Sequence, residues 1–395
     1  MPTKILYTAF DIVPSPKGAS THILHFIRGL VNSGYDVHLF TPGNGVLPEE
    51  EQLEGAQVTR IALPTEDNFL ERAILFGQGV LEHVTQAQQD QLSRYHIAHY
   101  RSIWGGFQLA QAKVQLGYKT LFEVNGLPSV ELKYHYPGLR ESGLLAKIRE
   151  QEIATLLMSD AIICPSEVTR LFLISLGASP RRITVIPNGV SAKDFAATPL
   201  PKADGHTPII LYVGTLADWQ GLDVLISAMP LILTRLPARL RIIGHGRSRQ
   251  RKALAKQIRK LGLEEQVEIA AAVPHHLMPE VIAQADLCVA PLSLNDRNIT
   301  QGCCPIKVIE YMASGRPLVA SNLPVVRELV REDMDGLLFT PGDAQDLAQQ
   351  ILTLLENPDL AKRLADSAAE RANSKFTWHA AQKKLLSVYR RLSDR

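Results

Sequence analysis

The sequence predicts an α/β fold built from two Rossmann-like halves. Short apolar or β-branched runs alternate with longer segments of helical period, which is typical of parallel strands joined by crossover helices. A segment containing Pro199, Pro201, Gly205 and Pro208 interrupts the alternation, which then restarts. We therefore expect a first domain, a linker, a second domain and a C-terminal helix that crosses back, over residues 1–195, 196–206, 207–375 and 376–395.

The strands are predicted from the apolar runs. In the first half they fall at residues 4–10, 36–41, 57–62, 96–99, 119–124, 161–164 and 183–186. In the second half they fall at residues 209–213, 239–243, 266–269, 287–290, 317–320 and 336–339. The helix after the first strand shows the pattern of the connections, because Ile23, Phe26, Ile27 and Leu30 share one face and Gly34 would end it.

Composition and charge exclude several classes of protein. The 395 residues carry 42 Lys plus Arg against 40 Asp plus Glu, which lacks the basic excess of a nucleic-acid binder. A hydrophobic fraction of 46% excludes wholesale disorder. The four cysteines form no C-x-x-C pair, which argues against a zinc knuckle and favours a reducing, cytoplasmic compartment. No signal peptide or spanning segment is visible, so we expect any membrane contact to be peripheral.

Two loops of the first half are candidate ligand sites, because doubly wound sheets bind ligands at the carboxyl ends of their strands. Gly18 lies between the first strand and its helix, where it would let a ligand approach the backbone or would form a simple turn. His99 ends a strand, where it could donate a hydrogen bond to a substrate or serve only the structure.

The second half begins with a similar strand, loop and helix. Gly214 and Gly221 flank a loop whose amides could hold a pyrophosphate, although a plain turn fits the same residues. The next strand leads into Gly244-His245-Gly246-Arg247. Arg249 stands where a third glycine of a dinucleotide-binding motif belongs, which excludes a nicotinamide site.

The most specific segment is residues 299–321. A loop over residues 302–305 leads into a helix on which Lys307 and Glu310 share one face. Lys307 could meet phosphate oxygens while Glu310 accepts bonds from ribose hydroxyls, and the alternative is a surface ion pair. The vicinal Cys303 and Cys304 are expected to be packed or to contribute backbone groups rather than to be redox-active.

Taken in order, these segments resemble the retaining nucleotide-sugar glycosyltransferases of the GT-B fold, family 4. The resemblance is carried by PSPKGAST, HIAHY, VIPNGVSAKDF, YVGTLADWQGLDVLI, AAVPHHLMPEVIAQADLCVAP, KVIEYMASGRPLVASNLPVVREL and DGLLFTPGDAQDLA. It implies two Rossmann-like domains facing a cleft, with the nucleotide held mainly by the second and the acceptor by the first. It also implies a metal-independent reaction, with no cofactor and a nucleotide-diphosphate sugar as donor.

The resemblance assigns roles to single residues. Glu310 matches the carboxylate that holds the donor ribose, Gly18 the glycine near the donor phosphates, and His99 the histidine near the transferred sugar. The stretch at Val273 and Pro274 would border the base through its backbone.

Three positions depart from the family pattern. Gly302 stands where the first carboxylate of a Glu, seven residues, Glu motif belongs, and Thr215 and Gln220 stand where a basic pair is usual. The hypothesis that follows is that Lys307 supplies the missing cation for the diphosphate. Amides of the 302–305 loop and the Arg247 side chain would assist it.

The sequence therefore predicts a hexosyltransferase of polysaccharide biosynthesis that acts on a glycan or lipid-linked acceptor. The acceptor would bind at Asn125 and the segment after it, where Tyr134, Tyr136 and Leu144 could line a site or simply pack. Two alternatives remain open at this stage. One is a degenerate GT-B protein that only binds a nucleotide or glycan, and the other is a nucleotide-sugar epimerase.

Overall fold

The chain divides into two compact units in the computed structural model, which describes residues 2–64, 68–139, 143–195 and 205–394. The first unit is Met1–Pro187 with Ala381–Arg395, and the second is Asn188–Ala380. Most of the predicted linker, residues 196–204, lies outside the described residues.

The first unit contains one twisted sheet of eight strands within the described part of the chain. Its strands are β1 (Lys4–Thr8), β2 (Asp36–Pro42), β3 (Glu50–Leu53), β4 (Ala56–Ile61), β5 (Ile97–Tyr100), β6 (Lys119–Glu123), β7 (Ala161–Cys164) and β8 (Ile183–Val185). The strand order is β3-β4-β2-β1-β5-β6-β7-β8, and every pairing is parallel except that of β3 with β4. The connecting helices are α1 (Gly18–Val31), α2 (Phe69–Ala87), α3 (Ile103–Leu116), α4 (Pro128–His135), α5 (Leu144–Met158) and α6 (Glu167–Ser175).

The second unit is a parallel sheet with the order β11-β10-β9-β12-β13-β14, which is the doubly wound Rossmann order. The strands are β9 (Ile209–Val213), β10 (Arg239–Ile243), β11 (Val267–Ala270), β12 (Leu287–Ala290), β13 (Leu318–Ser321) and β14 (Leu337–Phe339). The helices are α7 (Leu222–Leu233), α8 (Ser248–Lys260), α9 (Met278–Ala283), α10 (Ile306–Ala313), α11 (Pro324–Arg327), α12 (Ala344–Glu356) and α13 (Pro358–Lys375).

Each predicted strand is present within one or two residues of its expected bounds, because most of the apolar runs are buried on both faces of a parallel sheet. The edge strand β3 is absent from the prediction. Its sequence, Glu-Glu-Gln-Leu, has low strand propensity, and it pairs antiparallel with β4 through a turn at Glu54 and Gly55. Charged edge strands of this kind protect a sheet against pairing with another chain.

The last helix, α14 (Trp378–Ser393), completes the first unit. The Gln382 amide donates to the His25 carbonyl oxygen at 2.7 Å, and the Tyr389 hydroxyl lies 2.7 Å from Nδ1 of His99. Leu385, Val388 and Tyr389 are buried. The predicted return of the C-terminal helix to the first domain is therefore confirmed.

Glycine at position 244 allows two loops of the second unit to meet. A Cβ atom there would collide with the carbonyl oxygen of Gly214. We expect Gly244→Ala to lower the free energy of unfolding by about 3 kcal/mol, because backbone must move to relieve the overlap. Urea unfolding measures the loss, and Gly138→Ala is the control because no atom lies within 4 Å of its added Cβ. Equal stability of both variants would contradict the close approach.

Candidate functional site

Each sheet has a topological switch point where the strand order reverses. In the first unit it lies between β1 and β5, and in the second between β9 and β12. Loops at the carboxyl ends of these strands form the usual ligand crevice of a doubly wound sheet. Most of the predicted site residues lie on or next to these loops.

Lys307 lies at the centre of a hydrogen-bonded cluster at the switch point of the second unit. It lies in the first turn of α10, and its Nζ donates to the Tyr212 hydroxyl at 2.8 Å and to Oε1 of Gln220 at 2.7 Å. The ammonium also lies 4.0 Å from the centre of the Tyr212 ring. The side chain is therefore fixed at the end of β9 rather than paired on the surface with Glu310.

The neutral residues Thr215 and Gln220 belong to the same cluster. Gln220 donates from Nε2 to the Thr215 hydroxyl at 3.3 Å, and the Tyr212 hydroxyl donates to the Thr215 carbonyl at 2.6 Å. Gly214 has φ +143°, and a Cβ atom there would lie 2.5 Å from Nζ of Lys307. A glycine is thus required at 214 for the ammonium to reach its position.

The electrostatic environment of Lys307 is unusual for an ammonium group. Burial and the nearby charge of Arg297 outweigh the favourable charge of Glu310, and together they lower the pKa of Lys307 to about 7. An anion placed beside the ammonium would favour its protonated form. Such a group gains a large electrostatic interaction when it meets a phosphate.

The loop over residues 302–305 follows a π-helical turn over Arg297–Gln301. Gly302 has φ +80°, and its N–H donates to the Arg297 carbonyl at 3.0 Å. Pro305 has no N–H, so at most the amides of Cys303 and Cys304 can meet a ligand. This corrects the expectation that the whole loop offers amides, since the Gly302 amide is used within the turn.

The two neighbouring thiols are buried. Cys303 and Cys304 are 6% and 7% exposed, and burial raises the pKa of the Cys304 thiol. The Asn188 side chain donates to the Cys304 carbonyl at 2.6 Å. A buried thiol with a raised pKa is a poor nucleophile, so the role open to this pair is to shape the loop.

Glu310 has a partner that the sequence did not reveal. Its Oε1 lies 2.8 Å from Nε2 of His275, which follows Val273 and Pro274 in the loop after β11. Burial alone would lower the pKa of His275, but the hydrogen bond and charge of Glu310, with the charge of Asp194, raise it. His275 therefore favours its charged form and fixes the orientation of the carboxylate.

Three further predicted residues lie on loops or at helix starts. Gly18 is exposed and begins α1, and Arg247 is the residue before α8, with its backbone N–H donating to Oε1 of Gln250 at 3.0 Å. Val273 is partly buried in the loop after β11.

The switch point of the first unit contains a buried carboxylate, Glu123, at the end of β6. Its Oε2 accepts from the Tyr7 hydroxyl at 2.7 Å, and its Oε1 accepts from Nε of Arg101 at 2.8 Å. Nε2 of His22 lies 2.8 Å from Oε1, and the Asn125 amide donates to the same oxygen. Burial acts to raise the pKa of Glu123, but the charges of His22 and Arg101 and the hydrogen bonds hold it well below its usual range.

His99 is part of this network and is fully buried. Nε2 lies 3.0 Å from Oε2 of Glu123, and Nδ1 lies 2.7 Å from the Tyr389 hydroxyl. Burial lowers the pKa of His99 against the opposing hydrogen bond and charge of Glu123. Both ring nitrogens lie within 3.0 Å of polar atoms of the protein, and the expected contact between His99 and a sugar stays a prediction.

The acidic residues show no arrangement typical of a metal site. In the described ranges no group of three or more His, Cys, Asp and Glu side chains is arranged so that it could hold a metal ion. An Asp-x-Asp sequence occurs at Asp333-Met334-Asp335, but Asp335 is fully buried and bound to Arg331 at 2.7 Å. Across the same ranges, no helix combines the length and apolar character needed to cross a bilayer.

Comparison with known families agrees with this architecture. The Glycosyltransferase Family 4 profile matches residues 16–194, and the Glycosyl transferases group 1 profile matches residues 207–357. The chain belongs to the family 4, group 1 glycosyltransferases.

Individual relatives in this glycosyltransferase family are distant. The alpha-D-kanosaminyltransferase of Streptomyces kanamyceticus is 30% identical over 185 residues, which are 47% of this chain and 46% of that protein. The chain thus matches less than half the length of that relative. The D-inositol 3-phosphate glycosyltransferase of Kineococcus radiotolerans is 25% identical over 409 residues, covering 95% of this chain and 90% of that protein.

Solved structures share the fold over the whole chain. The sucrose-phosphate synthase from Thermosynechococcus elongatus has a TM-score of 0.82 at 21% identity and covers 99% of both chains. Anabaena HepE in complex with UDP-glucose has a TM-score of 0.74 at 18% identity, covering 99% of this chain and 100% of that one. The predicted GT-B fold is confirmed.

The Glu123 network supports a prediction on stability. We expect Glu123→Gln to lower the free energy of unfolding by about 3–5 kcal/mol, since the buried Arg101 loses its charged partner. Because the folded state lowers the carboxyl pKa, the advantage of the wild type should be complete well above the unfolded pKa of about 4.3 and shrink as the pH falls through and below that value. Urea unfolding at pH 7 and at lower pH measures both effects.

The matched control for this variant is Asp11→Asn. Asp11 also pairs with Arg101, at 3.0 Å, but its side chain is 36% exposed. Asp11→Asn should therefore lower the free energy of unfolding much less than Glu123→Gln does. Equal losses would mean that the burial of Glu123 contributes nothing.

Proposed function

We propose that this glycosyltransferase moves a hexosyl group from a nucleotide-diphosphate sugar to an acceptor hydroxyl with retention of configuration. The supporting observation is the cluster at the second switch point, where Lys307 and Glu310 lie one turn apart on α10. The cluster offers a cation and a carboxylate to one ligand. A structure with the same fold, Anabaena HepE, is a complex with UDP-glucose.

In this proposal the two side chains bind different parts of the donor. Glu310, with Oε1 held by His275, uses Oε2 to accept hydrogen bonds from the ribose hydroxyls. Lys307 donates to diphosphate oxygens, and the N-terminal dipole of α10 favours the same negative charge. Gly18, Gly214, Val273 and Arg247 are further proposed donor contacts.

The chemical step separates the sugar from the diphosphate. The bond between the anomeric carbon and the β-phosphate oxygen breaks, and the acceptor oxygen bonds to that carbon on the same face. The acceptor proton passes to a phosphate oxygen of the leaving nucleoside diphosphate. Lys307 stabilises the charge that develops on this group, so we propose that the reaction needs no metal ion.

The first unit would bind the acceptor, a glycan or a lipid-linked glycan, with any membrane contact peripheral. Asn125 is the proposed acceptor contact, because it is only partly buried and its amide is oriented by Glu123. His99 is a positioning residue in this scheme, since it acts through Glu123 and Tyr389.

Donor binding can be tested by thermal unfolding with uridine, guanosine and adenosine diphosphates, each with EDTA or with Mg²⁺. We expect one nucleotide at about 100 times its dissociation constant to raise Tm by about 5–10 °C in either condition. Glu310→Ala should lose the shift because the ribose hydroxyls lose their acceptor. Glu265→Ala, an exposed carboxylate of the same unit, should keep it.

Transfer is separated from simple binding by nucleotide release. Release of nucleoside diphosphate that depends on an added glycan or lipid-linked acceptor is expected for a transferase. Cooperative unfolding with no shift by any nucleotide, or binding without acceptor-dependent release, would overturn the proposed activity.

The ionisation of Lys307 predicts a pH dependence of donor binding. Because the pKa of the unliganded ammonium is about 7, binding above pH 7 requires proton uptake, and affinity should fall as pH rises. Lys307→Arg stays charged throughout and should show a flatter profile above pH 7. Titration calorimetry from pH 6 to 9 compares the two proteins, and the ionisation of the ligand cancels in the comparison. Parallel profiles would exclude Lys307 as the titrating group.

A further inference from the structure

A nucleoside diphosphate carries more negative charge than one ammonium group can neutralise. The positions that hold a basic pair in the family pattern are the neutral Thr215 and Gln220, and both lie in the hydrogen-bond cluster of Lys307. The sequence therefore leaves open where a second cation lies. The structure contains an arginine close to this cluster in a loop that the sequence analysis did not single out.

Arg297 begins the π-helical turn in the loop that follows β12. This loop and the one after β9 border the switch point of the second sheet. The Arg297 guanidinium lies 5.0 Å from the centre of the Trp219 ring, and its side chain is only partly buried. Trp219 directly precedes Gln220, whose side chain holds Nζ of Lys307.

The two loops are joined by hydrogen bonds that fix this position. The Trp219 carbonyl accepts from the Ser293 N–H at 3.0 Å and from the Asn298 side chain at 3.0 Å. Asn298 also donates to the Ser293 carbonyl at 2.8 Å, and Arg297 donates to Oδ1 of Asn298 at 3.0 Å. A Cβ atom at Gly221 would collide with the Pro291 carbonyl, so the loops approach as closely as glycine permits.

The position of Arg297 brings like charges together. Its charge is close enough to lower the pKa of Lys307, so the two cations repel each other in the protein alone. A loop fixed in this way maintains the repulsion instead of relaxing it. An anion that contacts both groups would remove the repulsion and gain two charge-assisted interactions.

We propose that Arg297 is the second cation of the diphosphate site and that, with Lys307, it replaces the basic pair missing at Thr215 and Gln220. The inference rests on the proposed function, because it concerns the same donor site. The cation–π contact with Trp219 helps to hold the guanidinium in place, and a guanidinium can donate two hydrogen bonds to phosphate oxygens. The preference of the site for a diphosphate over a monophosphate follows from this second contact.

The test compares three ligands of the base that stabilises the wild type: the nucleoside, its monophosphate and its diphosphate. Dissociation constants are measured by calorimetry for wild type, Arg297→Gln, Arg297→Lys and Arg249→Gln. Arg249 is the control because its side chain is 61% exposed and pairs at 3.5 Å with Asp218, which lies in the loop after β9. Thermal unfolding without ligand checks that each variant folds.

Arg297→Gln should weaken diphosphate binding about ten- to a hundredfold and leave the nucleoside within about threefold of wild type. The ratio of diphosphate to monophosphate affinity should therefore fall by about tenfold or more. Arg297→Lys should recover part of this ratio because it keeps the charge without the planar donor pair. Arg249→Gln should behave as wild type.

Other outcomes separate the two proposals. If Arg297→Gln weakens all three ligands equally, Arg297 only braces the loop and the inference is wrong. If Arg297→Gln keeps the wild-type ratio of diphosphate to monophosphate affinity, the inference is wrong, while the proposed donor site stands. If the wild type binds no nucleotide, the proposed function fails and the inference fails with it.

Discussion

The Lys307 ammonium, held between the Tyr212 hydroxyl and the Gln220 amide oxygen, determines the architecture around the second switch point. Its position requires a glycine at 214, since a side chain there would occupy the space of Nζ. Gln220 in turn belongs to the loop after β9, which is joined to the loop after β12 through Trp219 and Asn298. One desolvated charge thus couples a helix start, a strand end and two loops, and Glu310 lies one turn farther along the same helix.

The two units treat buried charge in opposite ways. Glu123 is surrounded by donors from Tyr7, His22 and Arg101, and its pKa is held low, so it is stable as an anion within the protein. Lys307 has neutral oxygen acceptors and a nearby cation, and its pKa is lowered. A charge that is satisfied internally stabilises the fold, whereas one that is only partly satisfied has interaction energy left for a ligand.

The sequence was sufficient for the family and for the strands other than β3, because a buried parallel sheet imposes apolar runs and the 299–321 segment is specific. It was not sufficient for the partners of the charges. Glu123 and His275 become visible only when strands and loops far apart in the chain meet at one sheet edge. His99 shows the converse. In the sequence, a histidine at a strand end looks available to a ligand. In the structure His99 is fully buried and contacts Tyr389, 290 residues later in the chain. Solvation and long-range pairing decide these cases, and neither can be predicted from a short stretch of sequence.

The location of Ala381–Arg395 in the first unit has a consequence for how the two units complete their folding during synthesis. The hydroxyl of Tyr389 and the apolar face of α14 are synthesised after the whole second unit, although they complete the packing around His99. At about 5–20 residues per second, a ribosome spends roughly 10–40 s on the intervening chain. During this interval the first unit has its sheet but is still missing part of its core. The nascent first half therefore depends on its own sheet, or on chaperones, to avoid aggregation until α14 has been made.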